Sequence, residues 1–139
     1  MSNYNNIALC SKDWKERMDA IKHVTDQHVL SIIALNDGNS DIKLEAVRRI
    51  TDQGELFEVA TKSNINTIKL EAINGINNQT LLQHIVLNPC RTLEPCVVLA
   101  VAKKITDQTV LKTIFKHYRY AKVRKAIFNK LSDETISLL

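Results

Sequence analysis

Residues 41–53 read Asp41-Ile42-Lys43-Leu44-Glu45-Ala46-Val47-Arg48-Arg49-Ile50-Thr51-Asp52-Gln53. Ile42, Ala46 and Ile50 stand four apart, so a helix would line them along one face, whereas a strand would not. Thr51-Asp52-Gln53 then interrupts the apolar register, and Leu56 and Val59 resume it three and six residues after Gln53. A short carboxylate just ahead of a new helical pattern is an N-cap, accepting from backbone N–H groups that have no partner within the helix. Glu55, three residues on, completes capping-box spacing. The stretch is therefore helix, turn, helix.

The same pattern recurs along the chain. Val24-Thr25-Asp26-Gln27, Ile76-Asn77-Asn78-Gln79, Ile105-Thr106-Asp107-Gln108 and Leu131-Ser132-Asp133-Glu134 match Ile50-Thr51-Asp52-Gln53, at intervals of 26, 26, 29 and 26 residues. Three residues after the Gln come Leu30, Leu56, Leu82 and Leu111, with Ser137 the exception. Six after it come Ile33, Val59, Ile85 and Ile114. Four before the aliphatic stand Ala20, Ala46, Ala72, Val101 and Ile127. Eight before it stand Ile42, Ile68, Val97 and Val123, with Glu16 the exception. A unit of about 26 residues buries its apolar face only against copies of itself. The spacing predicts an all-α protein, an α-α superhelix or solenoid of about five stacked helix pairs. Residues 13–139 form the array and residues 1–12 an N-terminal cap, in which Ile7-Ala8-Leu9 makes a short helix covering the first pair, with Trp14, just after it, as an apolar plug.

Asp41 to Gln53, together with Lys122-Val123-Arg124-Lys125-Ala126, resembles the Val-Arg signature of short HEAT-like repeats, the variety also found in phycobilisome lyases. Unit four departs from it with Val97-Val98 and unit one with Glu16-Arg17. The resemblance implies that the Val-Arg helices line the inner side of the array. It does not imply one function, because such repeats serve scaffolds, enzyme accessory subunits and DNA-repair enzymes.

Composition agrees with helices. The chain has 139 residues with three Gly and two Pro, too few for a fold of many tight turns. Its longest apolar run, Cys96 to Ala102, falls far short of the ~20 residues that span a bilayer, and the polar first fifteen residues lack a secretion signal. These features predict a cytoplasmic protein. Cys10, Cys90 and Cys96 form no Cys-x-x-Cys pair and read as reduced packing residues. The 29-residue interval holds Asn88 to Cys96 with two prolines. It reads as a longer loop that shifts the stacking, with Pro95 in the first turn of the next helix, or as a binding loop carrying Cys90 and Cys96.

No catalytic, cofactor or metal residue emerges. His23, His28, His84 and His117 lack a His-x-x-x-His arrangement, and neither a nucleophile elbow nor a Gly-rich phosphate loop is present. The basic residues are unevenly placed: thirteen of the nineteen Lys and Arg fall in the first-helix windows, against seven acids. Lys22, Arg48-Arg49, Lys103-Lys104 and Lys130 recur just before the turn, where stacking would align them as a ridge. One account is helix-end electrostatics, since cations complement a helix C-terminus. The other is contact with an anionic partner, to which Lys43, Lys69, Lys122 and Arg124 on the same helices would contribute. Residues 112–130 add seven cations and no acid, interleaved with Phe115, Tyr118, Tyr120 and Phe128. Phe115 and Phe128 read as core, while Tyr118, Arg119 and Tyr120 fall at a turn and read as free to touch a partner.

The function expected is a non-enzymatic interaction module for another macromolecule, a protein in the leading reading. The alternative is a nucleic-acid-binding module similar to HEAT-like DNA alkylation-repair proteins, using the basic ridge. Ile136-Ser137-Leu138-Leu139 is expected to pack inward on its own array, with pairing in a dimer as the other solution.

Overall fold

A computed structural model describes residues 3–88 and 92–139. Among them the chain forms eleven helices and no strands. It divides into two compact units, Met1–Ile76 and Asn77–Leu139.

The N-terminal unit holds α1 (Asn3–Cys10), α2 (Trp14–Ile21), α3 (Gln27–Asn36), α4 (Ser40–Arg49), α5 (Gln53–Lys62) and α6 (Asn66–Gly75). The closest pairs are α1 with α2, α3 with α4, and α5 with α6. Neighbours of like parity then pack side by side, α2–α4–α6 in one layer and α1–α3–α5 in the other. The C-terminal unit holds α7 (Gln79–Leu87), α8 (Pro95–Lys104), α9 (Gln108–His117), α10 (Ala121–Lys130) and α11 (Asp133–Ser137). Here α7 pairs with α8 and α9 with α10, while α10 packs on α8 and α9 on α7 and α11.

This pairing corrects the expected phase. The two helices of a pair meet across turns such as Asp37-Gly38-Asn39, not across the Thr-Asp-Gln turn. Apolar periodicity fixes which face of a helix is buried but says nothing about which neighbour covers it. The segment expected as a cap contributes α1, which packs on both α2 and α3. Trp14 is no plug: it is 49% exposed at the start of α2.

Every apolar repeat position is buried. The residues before the turn (Val24, Ile50, Ile76, Ile105, Leu131) and the leucines after it (Leu30, Leu56, Leu82, Leu111) are at most 7% exposed. The capping expectation also holds in four units. Asp26, Asp52, Asn78 and Asp107 accept from the backbone N–H of Val29, Glu55, Leu81 and Val110 at 3.0–3.1 Å. The fifth unit differs: Ser132 is the cap, its hydroxyl accepting from Thr135 N–H, and Asp133 lies inside the first turn. Pro95 stands in the first turn of α8, as expected.

The glutamine that follows each cap has its own task. In the N-terminal unit, Gln27 Oε1 accepts from the N–H groups of Thr51 (2.7 Å) and Asp52 (3.0 Å) in the next turn, and Gln53 Nε2 donates to the carbonyl of Gly75 (3.0 Å). In the C-terminal unit, Gln79 donates to Lys104 O (2.8 Å) and accepts from Thr106 N–H (3.1 Å). Gln108 likewise donates to Lys130 O (3.1 Å) and accepts from Ser132 N–H (2.8 Å). Each amide thus ties one turn to the next and occupies backbone groups that the helix ends leave without partners.

The C-terminal residues do not turn inward. Leu138 is 64% exposed and Leu139 40%. Ile136 is half-buried, where α11 rests on α9.

Candidate functional site

In the N-terminal unit, ion pairs and carbonyls hold most of the predicted binding cations. Lys22 lies 3.9 Å from Asp19, and Arg48 pairs with Glu71 of the adjoining α6 at 3.3 Å. Arg49 donates through Nη2 to the carbonyl of Lys22 at the end of α2 (2.7 Å) and lies 4.0 Å from Glu45. Lys43 and Lys69 are half-buried. The strongest ion pair went unforeseen. Arg17 grips Asp37 with two bonds, Nε at 2.9 Å and Nη2 at 3.1 Å, while Nη1 donates to Ser11 O (2.9 Å). Bidentate guanidinium–carboxylate bonding accounts first for the raised Arg17 pKa, against an opposing effect of burial.

The C-terminal unit begins with a parallel case. Lys130 stands at the same repeat position as Arg49, and its ammonium likewise reaches back to the preceding first helix. It donates to the carbonyls of Ala102 (3.0 Å), Lys103 (2.7 Å) and Ile105 (2.6 Å) at the end of α8. Burial depresses the pKa of both Lys130 and Lys104. In Arg49 and Lys130 the cation therefore completes a helix C-terminus, the first of the two accounts of the ridge. Lys103 is exposed.

The turn between α9 and α10 departs from expectation in two residues. Tyr118 is not free: it is 8% exposed, and its hydroxyl donates to Val86 O at 3.0 Å. Burial is the main reason its pKa rises. Its ring packs over the end of α7, because the residue that closes α9 continues that helix's buried face. Phe128 reverses the other expectation, being 47% exposed instead of core. Tyr120 is 36% exposed and donates to Leu93 O at 3.4 Å, with Tyr118 stacked 6.2 Å away. Arg119 and Lys122 are exposed. Arg124 lays its guanidinium over the ring of Phe115, 4.2 Å from the centroid.

Phe115, Arg119 and Arg124 line a pocket of about 280 Å³ together with Lys116 and Leu139. Phe128 lies beside it, 6.5 Å from Phe115 between ring centroids. The structure thus gathers Arg119 and Arg124 of the predicted set and adds Lys116, Phe115 and Phe128, which spacing alone had assigned to the core or passed over. The unevenness of charge is the signal that was available. Residues 1–76 carry nine Lys and Arg against eleven acids, and residues 77–139 carry ten against four. The described ion pairs all lie in the first unit.

A second concavity lies in the N-terminal unit, between the α3–α4 and α5–α6 turns. It measures about 610 Å³, and its lining includes Leu35, Asn36, Lys43, Lys62, Asn64 and Ile65. Cys10 and Cys96 are exposed thiols, not packing residues, and Cys90 lies outside the described residues, as does that part of the expected binding loop. Among the described residues no group of three or more His, Cys, Asp and Glu could hold a metal ion. No helix among them is long and apolar enough to cross a membrane.

The chain is an all-α protein built on a helical repeat whose turns are capped by Asp, Asn or Ser and tied together by Gln. No protein-family model, curated protein or solved structure matches it.

Proposed function

We propose that this protein is a HEAT-like helical-repeat module that holds another macromolecule without catalysis, acting in the cytoplasm, and that its N-terminal unit takes a segment of a partner protein. The observation that carries this reading is the groove between the α3–α4 and α5–α6 turns. Half-buried Leu35 and Ile65 offer it apolar contact, Lys43 offers charge, and exposed Asn64 offers an amide to a peptide backbone. That mixture suits an extended segment bearing aliphatic and acidic side chains. A photo-crosslinker at Asn64 should capture one defined protein, and Lys43→Glu should diminish the capture. Equal capture from Thr25, an exposed turn residue outside the groove, would overturn the assignment.

A second reading concerns the other unit. Its ten cations against four acids favour an anionic partner, and a nucleic acid meets that condition through its phosphates. Binding of a fluorescent oligonucleotide that weakens steeply between ~50 and ~200 mM salt is the expected result.

A further inference from the structure

Phe115 and Phe128 occupy positions that the repeat elsewhere keeps covered. The residues equivalent to Phe128 are Ile21, Val47, Ile73 and Ala102, and those equivalent to Phe115 are Ala34, Ala60 and Val86; all seven are at most 5% exposed. Two small or aliphatic core positions have thus become aromatic and, for Phe128, 47% exposed. Charge surrounds them. Lys112, Lys116, Arg119, Lys122 and Lys125 all lie on α9, α10 or the turn between them, and among the described residues none has an ion-pair partner. The nearest acids along the chain serve helix starts: Asp107 caps α9, and Asp133 and Glu134 are exposed in the first turn of α11, where they suit that helix's positive end.

This combination discriminates between occupants. A second copy related by a two-fold axis would bring the same unpaired cations against these, and like charges oppose such an interface. An acidic peptide would answer the cations but has no need of an exposed aromatic face among them. A single-stranded nucleic acid needs both features, cations for the backbone and aromatic faces on which bases stack.

We propose that the pocket lined by Phe115, Lys116, Arg119 and Arg124, together with the exposed ring of Phe128, is a binding site for single-stranded nucleic acid. It rests on the second reading above. One phosphate enters the pocket, where it meets the guanidinium of Arg124, held over Phe115, and Lys116 and Arg119 complete the charge. A base stacks on Phe128, and the chain continues past Lys122 and Lys125.

The test uses the full chain and four probes in fluorescence anisotropy: a twelve-nucleotide oligothymidylate, an abasic oligonucleotide of equal length, a duplex, and a poly-glutamate peptide of equal charge. The expected result has three parts. Oligothymidylate binds more tightly than the other three. Phe128→Ala weakens it about ten-fold while changing the abasic strand little, as loss of one stacked base predicts. Arg119→Ala weakens both strands and lessens the salt dependence. Equal binding of normal and abasic strands, indifferent to Phe128→Ala, would overturn the site while leaving the nucleic-acid reading intact. Tighter binding of the duplex would do the same. Tighter binding of poly-glutamate, or no binding of any probe at 50 mM salt, would remove both. A dimer that Phe128→Ala dissociates would assign the ring to self-association and overturn the site. A cooperative urea transition for Phe128→Ala with the parent's helical circular-dichroism baseline, its midpoint lowered by the loss of a half-covered ring, shows that the variant folds.

Discussion

Gln79 offers a direct measure of what holds one repeat turn on the next. Its amide makes two backbone bonds to the following turn, donating to Lys104 O at 2.8 Å and accepting from Thr106 N–H at 3.1 Å, with the Thr106 hydroxyl a longer third partner at 3.4 Å. Each such bond contributes about 1 kcal/mol net, so Gln79→Ala should cost about 2 kcal/mol. The freed Thr106 N–H regains water, because that side of the contact is exposed. Gln79→Glu keeps the acceptor but loses the donor, and should cost about half as much at neutral pH. Thr80→Ala, one residue along and exposed, should stay within about 0.5 kcal/mol of the parent. Urea unfolding followed by circular dichroism reads these differences. At a slope of ~1.5 kcal/mol per molar, Gln79→Ala lowers the midpoint by about 1.3 M. If Gln79→Ala proved no worse than Thr80→Ala, the amide would be a spectator and the turn-to-turn clamp would be wrong.

Three further outcomes follow from the geometry. Asp107→Ala removes a cap and should cost about 1 kcal/mol in the same melts, whereas Asp133→Ala should cost about 0.3 kcal/mol, because Ser132 caps α11 and Asp133 only complements its dipole. Arg17→Ala and Asp37→Ala each strand one partner of a pair whose side chains are only 15% and 6% exposed; each should cost about 3 kcal/mol, and a double-mutant cycle should show coupling of at least ~1 kcal/mol. Burial raises the pKa of Tyr118 above 10.0, so the folded state holds its proton where the unfolded state releases it, and this contribution to stability is present below pH 10.0 and lost as pH rises above it. Lys104 and Lys130, depressed below 10.5, act in the opposite direction, so the difference between the parent and Tyr118→Phe in alkaline unfolding isolates the tyrosine.

Much of the fold was legible because helical burial leaves a periodic trace. Ala46, Ile50, Leu56 and Val59 each lie where spacing put them, at no more than 4% exposure. Pairing left no such trace. The turns Ile50-Thr51-Asp52 and Asp37-Gly38-Asn39 are equally long, and only the packed structure tells which one closes a pair. The role of Gln was readable in principle, since a cap requires Asp but does not require the same amide after it four times. The site was harder to see. Tyr118 and Phe128 exchange their expected places because the same apolar or aromatic residue is core or surface according to whether a further helix covers it, and no residue reports that locally.

A repeat changes where function should be sought. In a chain whose units obey one pattern, a residue that recurs in register has a structural task by default. Arg49 and Lys130 illustrate this: as sequence they made the basic ridge look like a binding surface, and both turn out to complete a helix end. The informative positions are those where the pattern is broken at a cost. At the position where the other units bury Ile21, Val47, Ile73 or Ala102, Phe128 leaves about half of an aromatic ring in water. Leaving five cations on α9, α10 and the turn between them without paired acids adds self-repulsion that the N-terminal unit avoids by pairing Arg17, Arg48 and Lys62. Both departures fall at one place, and both are relieved by one kind of ligand, an anion that carries flat apolar groups.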